Sequence, residues 1–257
     1  MTTAPALSTF TVRRPAAGLA RYVSQYWLSL NNASPVYAAL PDGCLDLVLE
    51  VTANNCRSWI YGSTTRPTAI RCTAGTHYLG IRFRPGQSRH FISAAAQEIT
   101  DGREDLLSLM RFPSERVAAH IATEALFDEL DEILLEALCR APPFESYIDG
   151  VVRHIEAHHG ATRIDDVAAR FGKSRRQMER VFLQTVGVPL KFFCMISRLR
   201  HAADLIVHPA ARSLTAVAHD AGYCDQAHMT RDFTRLAGVS PGQLRADDAF
   251  FQYHSPR

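Results

Sequence analysis

The sequence predicts an α+β protein of two unlike parts: a small β-barrel or sandwich-like amino-terminal domain with trailing helices, and an all-α carboxy-terminal domain of tandem helix-turn-helix units. Three observations predict it. From Val36 to Pro85 the residues alternate and turn as strands do. Beyond Gly86 the apolar period lengthens to that of helices. Toward the C-terminus a unit read as a short helix, a glycine turn and a longer helix occurs twice, 50 to 52 positions apart.

In the amino-terminal half, Leu45, Leu47 and Leu49 alternate with Asp46, Val48 and Glu50 behind a Pro41-Asp42-Gly43 turn, which predicts a strand. Trp59-Ile60-Tyr61 before Gly62 is a second, and Tyr78 to Arg84 before Pro85-Gly86 a third. Their short spacing predicts a rolled or closed sheet, which would enclose a pocket. Asp101 followed by Glu104 has the pattern of a capping box opening a helix to Met110, and Ser114 after Pro113 starts a longer helix to Arg140. Ile121, Leu126, Leu130, Ile133, Leu134 and Leu138 form a stripe on that helix, expected to pack on the domain's own sheet, with a homodimer contact as the alternative.

Ala141-Pro142-Pro143 interrupts the helix, so the boundary is placed there: 1–141 amino-terminal domain, 142–145 linker, 146–257 carboxy-terminal domain. The balance of Lys+Arg against Asp+Glu changes at the same point, from −1 over residues 1–144 to +3 over 145–257. That difference is too small to identify a nucleic-acid binder alone. The first repeat spans about 146–190 and opens with a helix carrying Tyr147, Ile148, Val151, Val152 and Ile155 on one side. A connecting helix runs from Lys191 to Val207 and is ended by Pro209, and the second repeat spans about 212–246.

Ile164, Gly172, Met178, Phe182, Gly187 and Pro189 of the first copy correspond to Leu214, Gly222, Met229, Phe233, Gly238 and Pro241 of the second. In the first, Ser174 with Gln177 makes a helix start, and burial of Met178, Val181 and Phe182 leaves Arg176, Glu179 and Arg180 outward. Arginine can fork onto guanine and glutamate can accept from cytosine, while Lys173 and Arg175 sit where phosphates would pass. In the second, Asp225 caps the helix, Met229 and Phe233 face inward, and Gln226, Ala227, Thr230 and Arg231 remain outside. Gln226 can pair with adenine and Ala227 can touch a thymine methyl, while Thr230 and Arg231 can reach phosphate or base. His228 is expected to pack beside the turn. A connecting helix of roughly 25 Å predicts recognition helices about 34 Å apart, on two turns of one DNA face. For either copy alone a solvated helix face explains these polar residues equally well.

The second copy resembles the AraC/XylS family of bacterial transcription regulators. Val217-Ala218, Ala221-Gly222-Tyr223, Asp225-Gln226-Ala227-His228, Arg231-Asp232-Phe233, Gly238-Val239-Ser240-Pro241 and Leu244-Arg245 follow that family's signature in order. The resemblance covers about residues 146–246; Tyr223 replaces the usual phenylalanine and Cys224 a common serine. It implies a regulator that binds double-stranded promoter DNA through both units and touches RNA polymerase. Leu40 to Val48, Tyr61-Gly62 and Gly80 to Gly86 look like a cupin-like domain found in other AraC-type regulators, which implies effector sensing or homodimerisation.

If the sheet encloses a pocket, Arg82 and Arg84 share a strand face and could hold an anionic effector, with Trp59, Tyr61 and Trp27 as an aromatic wall. The competing expectation is that these arginines face solvent or pair with Asp46 or Glu50. Two other function classes compete with a plain regulator. One is a metal or redox sensor using Cys44, Cys56, Cys72 and His77, and the other a methyl-accepting thiol of an alkylation-response protein. The six cysteines form no CxxC pair or regular ligand spacing, so reduced thiols are expected, with no metal, no cofactor, no catalytic residue and no enzyme activity. With no basic-then-apolar leader at Met1 to Phe10 and no apolar run of membrane-spanning length, a cytoplasmic address and no membrane contact are expected.

Overall fold

The computed structural model describes residues 8–140, 144–207 and 213–244. Among the described residues, eight strands build the amino-terminal domain: β1 (Thr9–Arg13), β2 (Val23–Leu30), β3 (Val36–Ala39), β4 (Asp46–Thr52), β5 (Asn55–Tyr61), β6 (Thr68–Arg71), β7 (His77–Phe83) and β8 (Arg103–Asp105). Six of them form an antiparallel sheet in the order β1-β2-β7-β4-β5-β8, and β3 and β6 pair as a separate ribbon.

The sheet's two faces do different work. Tyr26, Leu28, Leu47, Leu49, Ile60, Leu79, Ile81 and Phe83 share one core cluster with Val117, Leu126, Leu130, Ile133, Leu134 and Leu138 of the trailing helices. The stripe therefore packs within its own domain. On the other face the register lines up three rows: Gln25–Arg82–Asp46–Tyr61–Arg103, Trp27–Gly80–Val48–Trp59–Asp105 and Ser29–Tyr78–Glu50–Arg57. The β3–β6 ribbon lies against this face, where Tyr37 stacks on Trp27 at 6.4 Å. Gly80 has no side chain because the Trp27 indole lies on it; a Cβ there would sit 1.9 Å from Trp27 Cε2.

Two expected helices are corrected. Asp101 starts no helix: it has φ +58, and its carboxylate accepts from the Thr65 amide at 2.7 Å and hydroxyl at 2.6 Å, stapling the loop after β5. Glu104 lies in β8, and Asp105 opens α1 (Leu106–Leu109) by accepting from the Leu107 amide. The long helix from Ser114 is two helices, α2 (Ser114–Ala119) and α3 (Leu126–Arg140), so Ile121 reaches the core from the turn between them.

The carboxy-terminal domain comprises α4 (Tyr147–Ala157), α5 (Ile164–Arg170), α6 (Arg175–Val186), α7 (Leu190–Val207), α8 (Leu214–Asp220), α9 (Gln226–Ala237) and α10 (Pro241–Leu244). Side-chain caps start the helices where expected: Ser174 accepts from the Gln177 amide and Asp225 from that of His228 at 2.6 Å. Both long helices of the repeats end on a left-handed glycine, Gly187 (φ +87) and Gly238 (φ +72). Each repeat has its own core, and α7 supplies both, giving Phe193 and Cys194 to the first and Leu199, Ala202, Ala203 and Ile206 to the second. The Ala141-Pro142-Pro143 boundary and Pro209 lie outside the described residues. No single helix among the described residues is long and apolar enough to cross a membrane.

Candidate nucleic-acid interface

Helix α6 buries Met178, Phe182 and Val186, which turns Arg175, Arg176 and Arg180 to the solvent with Glu179 half-buried between them; Val181, expected inside, is also half-buried. Arg175 is tied down, its Nε 3.0 Å from Glu179 Oε1 and its Nη1 3.6 Å from Asp165 Oδ1. Glu179 is thereby occupied as well. Arg176 and Arg180 make no ion pair among the described residues, and Lys173 Nζ sits 5.2 Å from the Tyr147 ring centre. Exposed pairs of this kind are worth less than about 1 kcal/mol, so an arriving phosphate can displace them.

Helix α9 repeats the arrangement with less charge. Met229, Phe233 and Leu236 face the core, and Gln226, Ala227 and Arg231 are exposed. The Thr215 hydroxyl on α8 donates to Gln226 Oε1 at 3.0 Å, leaving the amide NH2 available, and Thr230 donates to its own helix at the Gln226 carbonyl. The His228 ring packs edge-on against Tyr223 at 5.1 Å with Nε2 3.8 Å from Asp232 Oδ2, which is a structural position. Two features escaped the sequence reading. Arg235 adds an exposed cation one turn beyond Arg231, and Thr215 positions Gln226. The repeat offset held a signal for the second, because Thr215 stands where the first copy has Asp165, which meets Arg175.

The amino-terminal domain is hydrogen-bonded to the first repeat at the end of its outer helix. Ser63 Oγ donates to the Val186 carbonyl at 3.0 Å and Thr100 Oγ1 to the Gly187 carbonyl at 2.6 Å. Asp149 on α4 is buried and receives Arg89 at 2.8 Å and Gln87 at 2.9 Å. Arg200 on α7 donates to the Asp42 carbonyl at 2.9 Å, and the turn at Gly43 packs against Phe193.

A cavity of about 610 Å³ lies between the polar face of the sheet and the β3–β6 ribbon. Of the five residues expected to line it, Trp27, Tyr61 and Arg82 do. Trp59 does not, because Arg103 covers its ring at 4.2 Å. Arg84 lies past the end of β7 and donates to the Ala20 carbonyl at 2.7 Å, so it does not join Arg82. Nor does Arg82 face a ligand as a free cation. Its Nε and Nη2 fork onto Asp46 at 3.1 and 3.0 Å, and its Nη1 meets Asp42 at 2.9 Å. Burial works to lower its pKa, but Asp46 and Asp42 raise it well above the ordinary value. The expected pairing with Asp46 is present; that with Glu50 is not.

The cysteines of the rival metal and methyl-acceptor functions are not gathered into a site. Among the described residues no three His, Cys, Asp or Glu side chains are placed to hold a metal. Burial pushes the Cys44 thiol up to about 12 and the Cys56 thiol up to about 11, the opposite of an activated thiolate.

Residues 11–105 match a domain of unknown function (DUF6597), and residues 167–247 match a helix-turn-helix domain. The chain is similar to the arabinose operon regulatory protein of Salmonella typhimurium, 25% identical over 168 residues, covering 64% of this chain and 57% of that one. It is also similar to the putative HTH-type transcriptional regulator YkgA of Escherichia coli, 33% identical over 85 residues, 33% of this chain and 35% of that one. Among solved structures, an AraC-type regulator from Chromobacterium violaceum is 26% identical, with 42% of this chain and 91% of that one covered and a TM-score of 0.35. The chain spans less than two thirds of the length of these curated relatives.

Proposed function

We propose that this chain, whose carboxy-terminal domain is an AraC-type helix-turn-helix domain behind a β-rich domain of the matched kind, is a sequence-specific transcription regulator reading adjacent major-groove segments with α6 and α9. The observation that carries it is the duplication: two capped helices, each ended by a left-handed glycine, present their polar faces outward from separate cores joined by α7. One exposed polar helix face is ordinary; two at a fixed offset are the geometry of a tandem reader.

Arg176, Glu179 and Arg180 are assigned to bases in one groove segment, and Gln226, Ala227, Thr230 and Arg231 in the next, with Lys173 and Arg175 on phosphate. Double-stranded promoter DNA, RNA polymerase and a second copy of the chain are the partners of this function, in the cytoplasm. The amino-terminal cavity is assigned to a small-molecule effector. Its floor, at Asp42 to Cys44, is the same segment that contacts Arg200 and Phe193 of α7, so a change there reaches the helix between the repeats.

Sequencing of genomic fragments selected by the full-length protein tests this, with Arg180→Ala and Arg231→Ala alongside. The expected motif has two parts about one helical turn apart, one degraded by each variant. A single-part motif, or selection unchanged in both variants, would refute tandem readout.

A further inference from the structure

The cavity's walls limit the chemistry of what fits it. The lining is largely apolar and aromatic, with Trp27 stacked on Tyr37 and with Tyr61, Val48 and Ile70 around them. The guanidinium on its floor is committed to two carboxylates, so Arg82 offers no unpaired charge to an anion. Arg103 is spread over Trp59 and donates to the Tyr61 hydroxyl at 2.8 Å, and Arg71 stands exposed at the rim. Glu50 is different. It is a half-buried carboxylate on the cavity wall, and its contact is a neutral one, the Tyr78 phenol at 3.3 Å. Arg57 stands opposite it in the ladder, yet neither Arg57, Arg71 nor Arg103 forms an ion pair with it. The Thr64 hydroxyl also lines the cavity and is buried with no partner.

A carboxylate partly withdrawn from water beside aromatic faces favours a positive charge twice, by direct attraction and through the rings' quadrupoles. We infer that the cavity binds a compact organic amine, an aromatic or cyclic body carrying an ammonium group. The body lies against Trp27 and Tyr37, the ammonium meets Glu50, and a hydrogen-bonding group can reach Thr64. This deepens the effector assignment of the proposed function, and it is measured without DNA, so a failure of DNA selection leaves it standing and its own failure leaves the DNA reading standing.

The chain's two tryptophans, Trp27 and Trp59, share one row of this face, so their fluorescence reports on it. The test titrates the full-length protein with three probes of one shape and different charge: 2-phenylethylamine, 2-phenylethanol and phenylacetate. The amine is expected to give a saturable change with Kd of about 1 mM or below and to bind at least about tenfold tighter than the other two. Glu50→Gln, isosteric and neutral, is expected to erase that preference while the unfolding midpoint stays in place. Phenylacetate binding as well as the amine would overturn the inference. So would undiminished amine binding in Glu50→Gln, or no saturable change with any probe. If Glu50→Gln misfolds, Tyr37→Ala replaces it and is expected to weaken the amine more than the alcohol; equal weakening would count against the aromatic-cation site.

Discussion

The two repeats share a plan and differ in what surrounds them. In both, the second residue of the short helix reaches the start of the outer helix: Asp165 meets Arg175 in one, Thr215 meets Gln226 in the other. The first version is ionic and the second neutral, which suits the phosphate-and-guanine face proposed for α6 and the adenine-and-methyl face proposed for α9. Their ends differ more. Gly187 lies buried under Ala96, Ser63 and Thr100 of the amino-terminal domain, whereas Gly238 is exposed, and a Cβ added there would meet only Pro67, at 4.0 Å. A shared motif thus anchors one unit to the amino-terminal half at its closing glycine and leaves the closing glycine of the other open.

Substituting the paired glycines should give the largest contrast. A Cβ at Gly187 would stand 3.1 Å from the Ala96 carbonyl and 3.2 Å from the Ser63 and Thr100 hydroxyls, besides its left-handed strain. Gly187→Ala is expected to cost about 2–3 kcal/mol in urea unfolding, against about 1 kcal/mol for Gly238→Ala. Equal costs would mean that the anchor adds nothing.

Next come the outward arginines. Arg180→Ala and Arg231→Ala should each weaken specific binding by about 1–3 kcal/mol in gel-shift titrations. The loss should sit in a different half of the selected site for each, and a loss spread evenly over the site would reduce both residues to phosphate contacts.

A smaller effect separates the two linking contacts. Thr215→Val should lower specific affinity by about 0.5–1 kcal/mol by loosening Gln226, with little salt dependence. Asp165→Asn frees Arg175 and should tighten binding at low salt, an effect that fades as salt rises. The same salt response in both variants would erase the ionic-versus-neutral distinction.

The last contrast concerns the junction of the two halves. His90 packs edge-on against Tyr22 and Phe144, and burial, with Arg89 beside it, pushes its pKa down to about 4. With the folded value below the ordinary 6.5, neutral His90 favours the folded chain above that value, and the contribution is lost as pH falls from 6.5 toward about 4. Urea midpoints measured near neutrality and at about pH 5 should therefore drop further in the native chain than in His90→Gln. Parallel drops would show that another group governs the acid limb.

The sequence was most legible where one periodicity acted alone. Helices α6 and α9 follow from caps, closing glycines and a one-sided apolar stripe, whose residues are buried apart from half-buried Val181, while Glu179 and Thr230 on the outer faces are half-buried. β2 was missed because both of its faces are covered: Tyr26 and Leu28 enter the core while Trp27 packs on the opposite side, which hides the alternation. β3 and β6 are four residues each and half-buried on one side only, too short for alternation to mark them. At Asp101 the capping-box spacing was present, but the side chain serves Thr65 instead. The break between α2 and α3 contains neither proline nor glycine, so nothing local announces it. For the cavity, alternation correctly put Arg82 and Tyr61 on its face. It could not show that Asp42, from the turn before β4, closes on Arg82, because that contact joins segments far apart in the chain.

The bare position at Gly80 leaves the hollow beside it open to closure by a minimal change. With any side chain there, the Trp27 ring would have to leave its bed on the sheet and stand in the hollow it now borders. The hollow would then be plugged by the domain's own residue, while the core on the sheet's other face stayed in place. Under the proposed function, one codon would separate effector binding in the hollow from DNA binding by the repeats.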